Sequence, residues 1–251
     1  YGQLTNKSQS IHLIKNISDL KSPQHISWQV AKAPCIFKPN SNLQDGEVLY
    51  PIMCLIQSKV EETKQRLDPK QWFVQKYIQG QSYYLCGYLS RNGGVRYYWQ
   101  TNLMQQQNGK SIVLARTGAN LDIDENQFFD GLANMGYFGP CMMEIIEEAD
   151  GQLNFIEINP RFWGPLQLGV DACPEMIGLY ASDLGFSSIR DLPPQKKNDT
   201  THWYAWANGA QTHKCHVYPT ADLLSDIERQ KLLNKHDVYS RNDTRSIQGH
   251  I

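Results

Sequence analysis

The stretch from Cys141 to Gly164 limits the folds open to this 251-residue chain more than any other part of its sequence. It contains two apolar runs, residues 141–146 and 153–158, separated by the polar tip Ala-Asp-Gly-Gln. An Asp-Gly pair between apolar runs is a strong short-range signal for a β-hairpin. The sequence therefore predicts two antiparallel strands joined by a tight turn whose central residues are Asp150 and Gly151.

That turn sets the register of the two strands. Counting outward from it places Glu144 directly opposite Glu157, and the two-residue period of a strand places Asn159 on the same face. Like charges directly opposite each other destabilise a sheet, and carboxylates among apolar neighbours cost desolvation energy. A divalent cation between the two glutamates offsets both costs. Two carboxylates and an amide carbonyl are hard oxygen ligands of the kind that magnesium takes.

The plain alternative is that both glutamates lie on a solvated face of a two-sided hairpin and act as ordinary surface charges. The strand pattern by itself leaves the two interpretations open. The residues that follow decide in favour of the metal site: Glu-Ile-Asn-Pro-Arg at 157–161, then Phe-Trp-Gly at 162–164.

The sequence Phe-Ile-Glu-Ile-Asn-Pro-Arg-Phe-Trp-Gly at 155–164, with Glu144 upstream, resembles the metal-binding hairpin of the ATP-grasp superfamily, in its carbamoyl-phosphate-synthase-like branch. Residues 169–174 are similar to a segment that often follows this hairpin in that branch. The resemblance extends from about Pro34 to Gly185. It implies an α+β fold of the ATP-grasp type, in which two α+β subdomains grip a nucleotide between antiparallel sheets.

The resemblance also implies roles for the residues around the hairpin. Glu144, Glu157 and Asn159 would hold one or two magnesium ions (or manganese) that bridge the phosphates of ATP. Arg161 and Lys38 are the implied catalytic residues: Arg161 would neutralise the transferring phosphoryl group, and Lys38 the earlier phosphates. Lys38 precedes a proline, which favours an extended backbone and hence a strand end. Its plain alternative is an edge lysine that extends into solvent.

Residues 71–78 read as a strand that resembles the hinge between the two subdomains of this superfamily. There the backbone of Lys76, Tyr77 and Ile78 would hold the adenine edge. Gln75 and Ser82 stand where the superfamily usually has glutamates that meet the adenine amine and the ribose. A glutamine carbonyl and a serine hydroxyl can still make such hydrogen bonds. The superfamily's glycine-rich flap corresponds to residues 40–47, which contain a single glycine.

The implied function is an ATP- and magnesium-dependent ligase that activates a small-molecule carboxylate as an acyl phosphate for attack by an amine or similar nucleophile. A homodimer is compatible with the resemblance. The alternative comes from another class of protein: a nucleotide-binding module that keeps this fold without turnover. The glycine-poor flap, the two replaced glutamates and the start of the chain after the superfamily's usual preceding domain favour that alternative.

The resemblance and the local signals together divide the chain into three parts. Residues 1–78 form an N-terminal ATP-grasp subdomain, incomplete at its start; 79–190 form the C-terminal subdomain with the hairpin; 191–251 form an extension in which no motif is recognised. Helices are predicted over 51–67, 124–136 (capped by Asp124), 174–184 and 221–235 (capped by Thr220), with an antiparallel meander over 82–90, 95–101 and 111–115.

Composition excludes several other functions. A formal net charge of −1 gives no electrostatic reason to bind nucleic acid or an anionic membrane, and no apolar run approaches the roughly 20 residues that span a bilayer. The six cysteines have no regular spacing and most lie in apolar runs, which predicts buried free thiols and a cytoplasmic location. His213, Cys215 and His216 form a weak candidate metal site.

Overall fold

The computed structural model describes residues 20–41, 43–44, 46–119, 121, 123–186 and 200–242. Within these residues the strands are β1 (His25–Ile26), β2 (Cys35–Pro39), β3 (Leu43–Gln44), β4 (Glu47–Val48), β5 (Ile52–Cys54), β6 (Trp72–Lys76), β7 (Gln81–Leu89), β8 (Val95–Gln106), β9 (Ile112–Thr117), β10 (Gly139–Glu147), β11 (Leu153–Asn159), β12 (Trp203–Ala205) and β13 (Cys215–Val217). The α-helices are α1 (Gln57–Arg66), α2 (Glu125–Asn134), α3 (Leu166–Ala172), α4 (Pro174–Asp183), α5 (Ala207–Thr212), α6 (Pro219–Asp222) and α7 (Asp226–Lys235).

The larger sheet has seven antiparallel strands and carries the hairpin at one edge. Its strand order is β11-β10-β7-β8-β9-β12, and β13 pairs with the end of β8. Side chains alternate between its two faces. One face packs Leu85 and Met143 against the aromatic stripe of α2, while the other packs Cys86 and Met142 against α3 and α4. The meander and the hairpin that the sequence predicts are confirmed.

The smaller sheet has the order β1-β6-β2-β5 and packs on α1. Its core includes Phe37, Val60 and Val74, all at most 2% exposed. Strands β3 and β4 form a separate two-stranded hairpin at the position of the predicted flap. Lys38 lies near the end of β2, as its place before a proline predicts.

Helix α2 shows the local signals that the sequence carries. The Asp124 carboxylate accepts hydrogen bonds from the backbone N–H groups of Asn126 and Gln127. Gly136 ends the helix with a φ of 78°, a conformation that glycine adopts without the steric cost that a side chain brings. The predicted cap and stop of this helix are therefore confirmed.

Two predicted helices begin later than expected. Residues 52–54 form β5 instead of a first helical turn, because they pair with β2 and complete the smaller sheet. The helix expected from 221 begins at Asp226, capped by Ser225, whose side chain and backbone exchange hydrogen bonds with Glu228. Thr220 caps nothing there, since it lies within the short helix α6. The predicted loop at 193–198 lies outside the described residues.

The described part of the C-terminal extension, residues 200–242, is built into the larger sheet. Strand β12 extends the sheet beyond β9, and β13 occupies the edge of β8 next to the start of β7. The chain division into 1–78, 79–190 and 191–251 stays a prediction. All six cysteines are free and five are buried, as predicted. None of the helices in the described residues has the length and apolar character that crossing a membrane requires.

Gly80 lies at the junction between the hinge and β7, and its replacement by alanine tests the fold at that point. A Cβ atom there would lie 2.0 Å from the Glu147 carbonyl oxygen, a backbone atom that cannot move without disturbing β10. We expect Gly80→Ala to lower the free energy of unfolding by about 2 kcal/mol or more, the range of an overpacked core. Urea denaturation measures this change.

Gly131→Ala is the matched control. Gly131 lies inside α2, and a Cβ atom there would meet no atom of the described part of the chain within 4 Å. Because alanine has the higher helix propensity, this variant should gain up to about 1 kcal/mol. If Gly80→Ala is as stable as the wild type, the close approach of Gly80 to β10 is wrong.

Candidate active site

Glu144 lies opposite Glu157 in the hairpin, as the sequence predicts. The turn that joins the strands differs from the predicted two-residue turn. The Glu148 N–H donates to the Gln152 carbonyl (2.9 Å) and the Gly151 N–H to the Glu148 carbonyl (2.9 Å), so residues 149–151 form a three-residue loop. Gly151 has a φ of 85°, the left-handed conformation that such loops need at their last position.

A bulge in β11 brings the two glutamates back into the predicted register. Near the turn the pairing is one residue away from that register, with Ile145 opposite Phe155. Ile156 is the extra residue of β11, and beyond it Glu157 pairs as expected. Ile156 and Glu157 both line a cavity, while Phe155 packs in the core. The pair was therefore predicted correctly although the turn and the bulge were not.

The cavity has a volume of about 390 Å³ and is lined by residues of both sheets. Strands β2, β5 and β6 contribute one side, and β7, β10 and β11 the other. Of the residues to which the ATP-grasp resemblance gives a role, it brings together all but Ser82: Lys38, Gln75, Lys76, Tyr77, Ile78, Glu144, Glu157, Asn159 and Arg161.

Contacts between the β8–β9 loop and the smaller sheet help to bound the cavity. The Asn108 side-chain oxygen accepts a hydrogen bond from the Met53 N–H (3.4 Å). The Lys110 ammonium lies 5.8 Å from the centre of the Tyr50 ring, within the range of a cation–π interaction. These contacts connect the β8–β9 loop to β5 and to Tyr50, just before it.

Ser82 is the exception, because the structure places it beneath the cavity and not on its wall. The residue is fully buried, and its hydroxyl donates to a Glu144 carboxylate oxygen (2.9 Å). The same hydroxyl accepts from the Asn102 side chain (2.8 Å), whose carbonyl accepts from Gln100 (2.6 Å). The implied contact of Ser82 with a ribose is not supported. Ser82 holds the Glu144 carboxylate in place from below.

The hinge presents both backbone and side-chain polar groups. The Lys76 N–H is bonded to the Gln24 carbonyl (2.9 Å), which leaves the carbonyl of Lys76 as the backbone group that can meet a ligand at that position. The Gln75 side-chain nitrogen lies 3.4 Å from a ring nitrogen of His25. Ile78 is 6% exposed and adds an apolar surface to the same wall.

The charged groups at the floor of the cavity shift the pKa of Glu144 in opposite directions. Burial, and then the neighbouring Glu157 carboxylate, raise the pKa of Glu144 to about 7, although Ser82 and Lys38 act in the opposite direction. The Lys38 ammonium lies 4.0 Å from one Glu157 oxygen. The Asn159 side-chain nitrogen donates to the other Glu157 oxygen (2.7 Å), so the side-chain carbonyl oxygen of Asn159 is left to accept a hydrogen bond or to coordinate a metal.

This set of donors fits a hard divalent cation. Positive charge between the two carboxylates would remove the repulsion that raises the pKa of Glu144. Among the described residues, no group of three or more histidine, cysteine, aspartate or glutamate side chains is placed to hold a metal, and the candidate at 213–216 is therefore not supported. A metal held by two glutamates and Asn159 would take its other ligands from phosphate and water, as magnesium usually does.

Sequence reasoning missed two tyrosines that line the cavity beside the glutamates. Burial raises the pKa of Tyr84 and of Tyr218 well above the usual range, and the Glu144 carboxylate adds to both shifts. The Tyr218 hydroxyl donates to the Gln105 side-chain oxygen (2.5 Å), and His216 packs edge-on against its ring. Tyr84 carries only the pattern of an ordinary strand residue, and Tyr218 lies in the extension where no motif is recognised.

No protein-family model matches the chain, and no curated protein sequence matches it. Solved structures do. The biotin carboxylase domain of a Hydrogenobacter thermophilus 2-oxoglutarate carboxylase, a dimer in complex with MgADP, ADP and bicarbonate, has a TM-score of 0.57 at 13% identity. A Campylobacter jejuni biotin carboxylase in complex with β,γ-ATP has a TM-score of 0.54 at 14% identity. Each match covers 74% of this chain and 47% of the other.

The N5-carboxyaminoimidazole synthetase of Staphylococcus aureus is also similar, with a TM-score of 0.52 at 15% identity over 78% of this chain and 56% of that one. The chain thus spans about half the length of the solved structures it matches. At these identities the likeness is one of fold. The ATP-grasp fold that the hairpin implies is confirmed.

The pKa of Glu144 predicts how stability depends on pH when no metal is present. The folded carboxyl keeps its proton up to about pH 7, whereas an ordinary carboxyl loses it near pH 4.5, so the folded state binds more protons between these values. Stability therefore falls as pH rises through this window. We expect Glu144→Gln to be more stable than the wild type at pH 8 by about 3 kcal/mol, and nearly equal to it at pH 4.

Urea denaturation in the presence of a chelator, at several pH values, measures this difference. Glu175→Gln, which removes the same charge from the exposed start of α4, is the control and should show no such pH dependence. A stability difference for Glu144→Gln that is the same at pH 4 and pH 8 would contradict the predicted pKa.

Proposed function

We propose that the cavity binds ATP with Mg²⁺ (or Mn²⁺), and that the protein uses it to activate a small-molecule carboxylate as an acyl phosphate, which an amine then attacks. The observation that carries this proposal is the opposed pair Glu144 and Glu157 in one cavity with Lys38, Arg161 and the hinge. Two opposed carboxylates are unfavourable alone and suited to a metal-bound polyphosphate.

Three side chains at the floor of the cavity would hold the metal. Glu144 is oriented from below by Ser82, and Glu157 by Asn159, so both carboxylates are fixed before a ligand arrives. Ordered ligands of this kind need little rearrangement on binding. When bound, Mg-ATP supplies the transferable phosphoryl group together with the positive charge that screens its oxygens.

The cations on the cavity wall would position the phosphates. The Lys38 side chain is 14% exposed and lies close to Glu157, so a phosphate that reaches the metal ligands also meets its ammonium group. Arg161 follows the hairpin directly and is exposed. Its planar guanidinium can bind phosphate oxygens in a bidentate manner. Phosphoryl transfer of this type depends mainly on such positioning and charge, and it asks for little acid–base chemistry from the protein.

The hinge would hold the base of the nucleotide. The Lys76 carbonyl and the Ile78 backbone are the groups proposed to meet the adenine edge, with Tyr77 on the same wall. Gln75 directs its amide nitrogen towards His25, which leaves its carbonyl able to accept from an amine. The described complexes of similar folds with MgADP and with ATP support a nucleotide in this place.

A second candidate is a module that binds nucleotide without turnover. The position of Ser82 favours it, because the Ser82 hydroxyl is bonded to Glu144 and Asn102 and the residue does not line the cavity. A measurement of ATP turnover distinguishes the two candidate functions. ADP release that depends on both a carboxylate and an amine supports the ligase, and tight Mg-ATP binding without release across a panel of both supports the module. The homodimer stays a prediction for either.

Calorimetric titration of Mg-ATP tests the metal site. We expect the wild type to bind Mg-ATP more tightly than ATP with a chelator, and Glu157→Gln to lose at least about tenfold in affinity for Mg-ATP, since a carboxylate ligand is removed. Affinity should also fall below about pH 7, where Glu144 takes up a proton that competes with the metal.

Glu175→Gln is the control for loss of one negative charge and should bind as the wild type does. Equal affinities for ATP with and without metal, in the wild type and in Glu157→Gln alike, would overturn the assignment of the metal site.

A further inference from the structure

A second cavity of about 380 Å³, shallower and more open to solvent than the first, adjoins it. The two cavities share Ser111, Ile112 and Gly164 in their walls. Gly164 is three residues after Arg161, which is proposed to bind the transferring phosphate. The two cavities therefore lie next to each other at these shared residues.

The C-terminal segment contributes half of the residues that line the second cavity: Tyr204, Trp206, Val238 and Tyr239. Pairing of β12 with β9 fixes Tyr204, and the backbone N–H of Trp206 donates to the Val113 carbonyl (2.8 Å). These residues are held by the main sheet.

The second cavity differs from the first in charge. The first is lined by Lys38, Lys76, Lys110 and Arg161 together with the two glutamates. Among the described residues that line the second, none is a lysine, arginine, aspartate or glutamate. Its wall contains three aromatic rings, which favour a flat apolar group.

One polar group in this wall has a defined orientation. The Gln167 side-chain nitrogen donates to a carboxylate oxygen of Asp171 (3.1 Å). Asp171 is itself held by two hydrogen bonds from the Arg241 guanidinium (2.7 and 3.0 Å). Because a carboxylate accepts and does not donate, the amide nitrogen of Gln167 must face Asp171, and its carbonyl oxygen is left to accept from a ligand.

We propose that the second cavity is the subsite for the aromatic group of the amine substrate. The aromatic ring lies among Trp206, Tyr204 and Tyr239, a ring N–H or O–H donates to the Gln167 carbonyl, and the amine extends past Gly164 into the first cavity. This inference rests on the proposed ligase reaction. In that reaction the amine nitrogen forms a bond to the acyl carbon, the bond from that carbon to the phosphate oxygen breaks, phosphate leaves with the electron pair, and a proton passes from nitrogen to solvent.

Binding of two amines to the whole chain in the presence of Mg-ADP tests the subsite. Tryptamine carries an aromatic ring with an N–H donor, and hexylamine carries neither. We expect tryptamine to bind at least about tenfold more tightly by calorimetry, since a stacked ring and a hydrogen bond are each worth several-fold in affinity. Equal affinity for the two amines would overturn the proposal.

Two variants locate the binding. Tyr239 is 52% exposed, so Tyr239→Ala removes a ring without opening the core. It should weaken tryptamine about threefold to tenfold. Gln167→Met, which removes the carbonyl at similar size, should bring a comparable loss for tryptamine and none for hexylamine. Leu223→Ala is the control, as it removes an exposed side chain elsewhere in the same segment. Unchanged tryptamine affinity in both variants would contradict the subsite.

Mg-ATP affinity, measured on the same proteins, separates this inference from the proposed function. Tyr239 and Gln167 do not line the first cavity, so both variants should bind Mg-ATP as the wild type does. If the wild type fails to bind Mg-ATP but binds tryptamine through Tyr239, the ligase reaction and the role of the second cavity in it are wrong, and only the binding of an aromatic amine there stands. If Mg-ATP binds and tryptamine does not, the subsite is wrong and the nucleotide site stands.

Discussion

The repulsion between Glu144 and Glu157 is the constraint on which the site depends. Main-chain pairing of two strands places the carboxylates opposite each other, and burial makes the charge of Glu144 more costly than it would be at the surface. The Lys38 ammonium, 4.0 Å from Glu157, offsets part of that cost. A site that carries such a cost in its empty state is stabilised when a cation binds, so metal affinity and fold stability are linked at this point.

The surroundings of the pair convert this constraint into a positioned site. The bulge at Ile156 keeps Glu157 in register with Glu144 despite the three-residue loop. Beneath them, Ser82 and Asn102 form a buried chain of hydrogen bonds that ends at Gln100, whose side-chain oxygen has no hydrogen-bond partner among the described residues. Buried networks of this kind fix side-chain orientation and are costly to disturb. The carboxylates are thus held by the sheet and by the layer below it.

The metal-binding residues of the site could be predicted from the sequence more completely than the residues that line its walls. Strong local signals, such as the Asp-Gly tip and the Asp124 cap, predicted their elements correctly. The position of Ser82 could not be predicted, because whether a strand residue meets the cavity or its floor depends on the packing of the sheet. Tyr204, in β12, and Tyr218, which follows β13, could not be placed either, since strands of three residues carry too short a pattern to show a period. The pairing of β12 and β13 with the larger sheet is set by contacts between residues far apart in the sequence.

Electron paramagnetic resonance of Mn²⁺ offers the most direct test of the central claim, because protein-bound manganese gives a weaker signal than the free ion. The wild type should reduce the free Mn²⁺ signal strongly when ATP is present, through ligands that include both opposed carboxylates. A protein in which Glu144 and Glu157 are both replaced by glutamine should leave the signal of Mn²⁺ and ATP as it is without protein. Equal signal loss with the wild type and with the double variant would contradict the account.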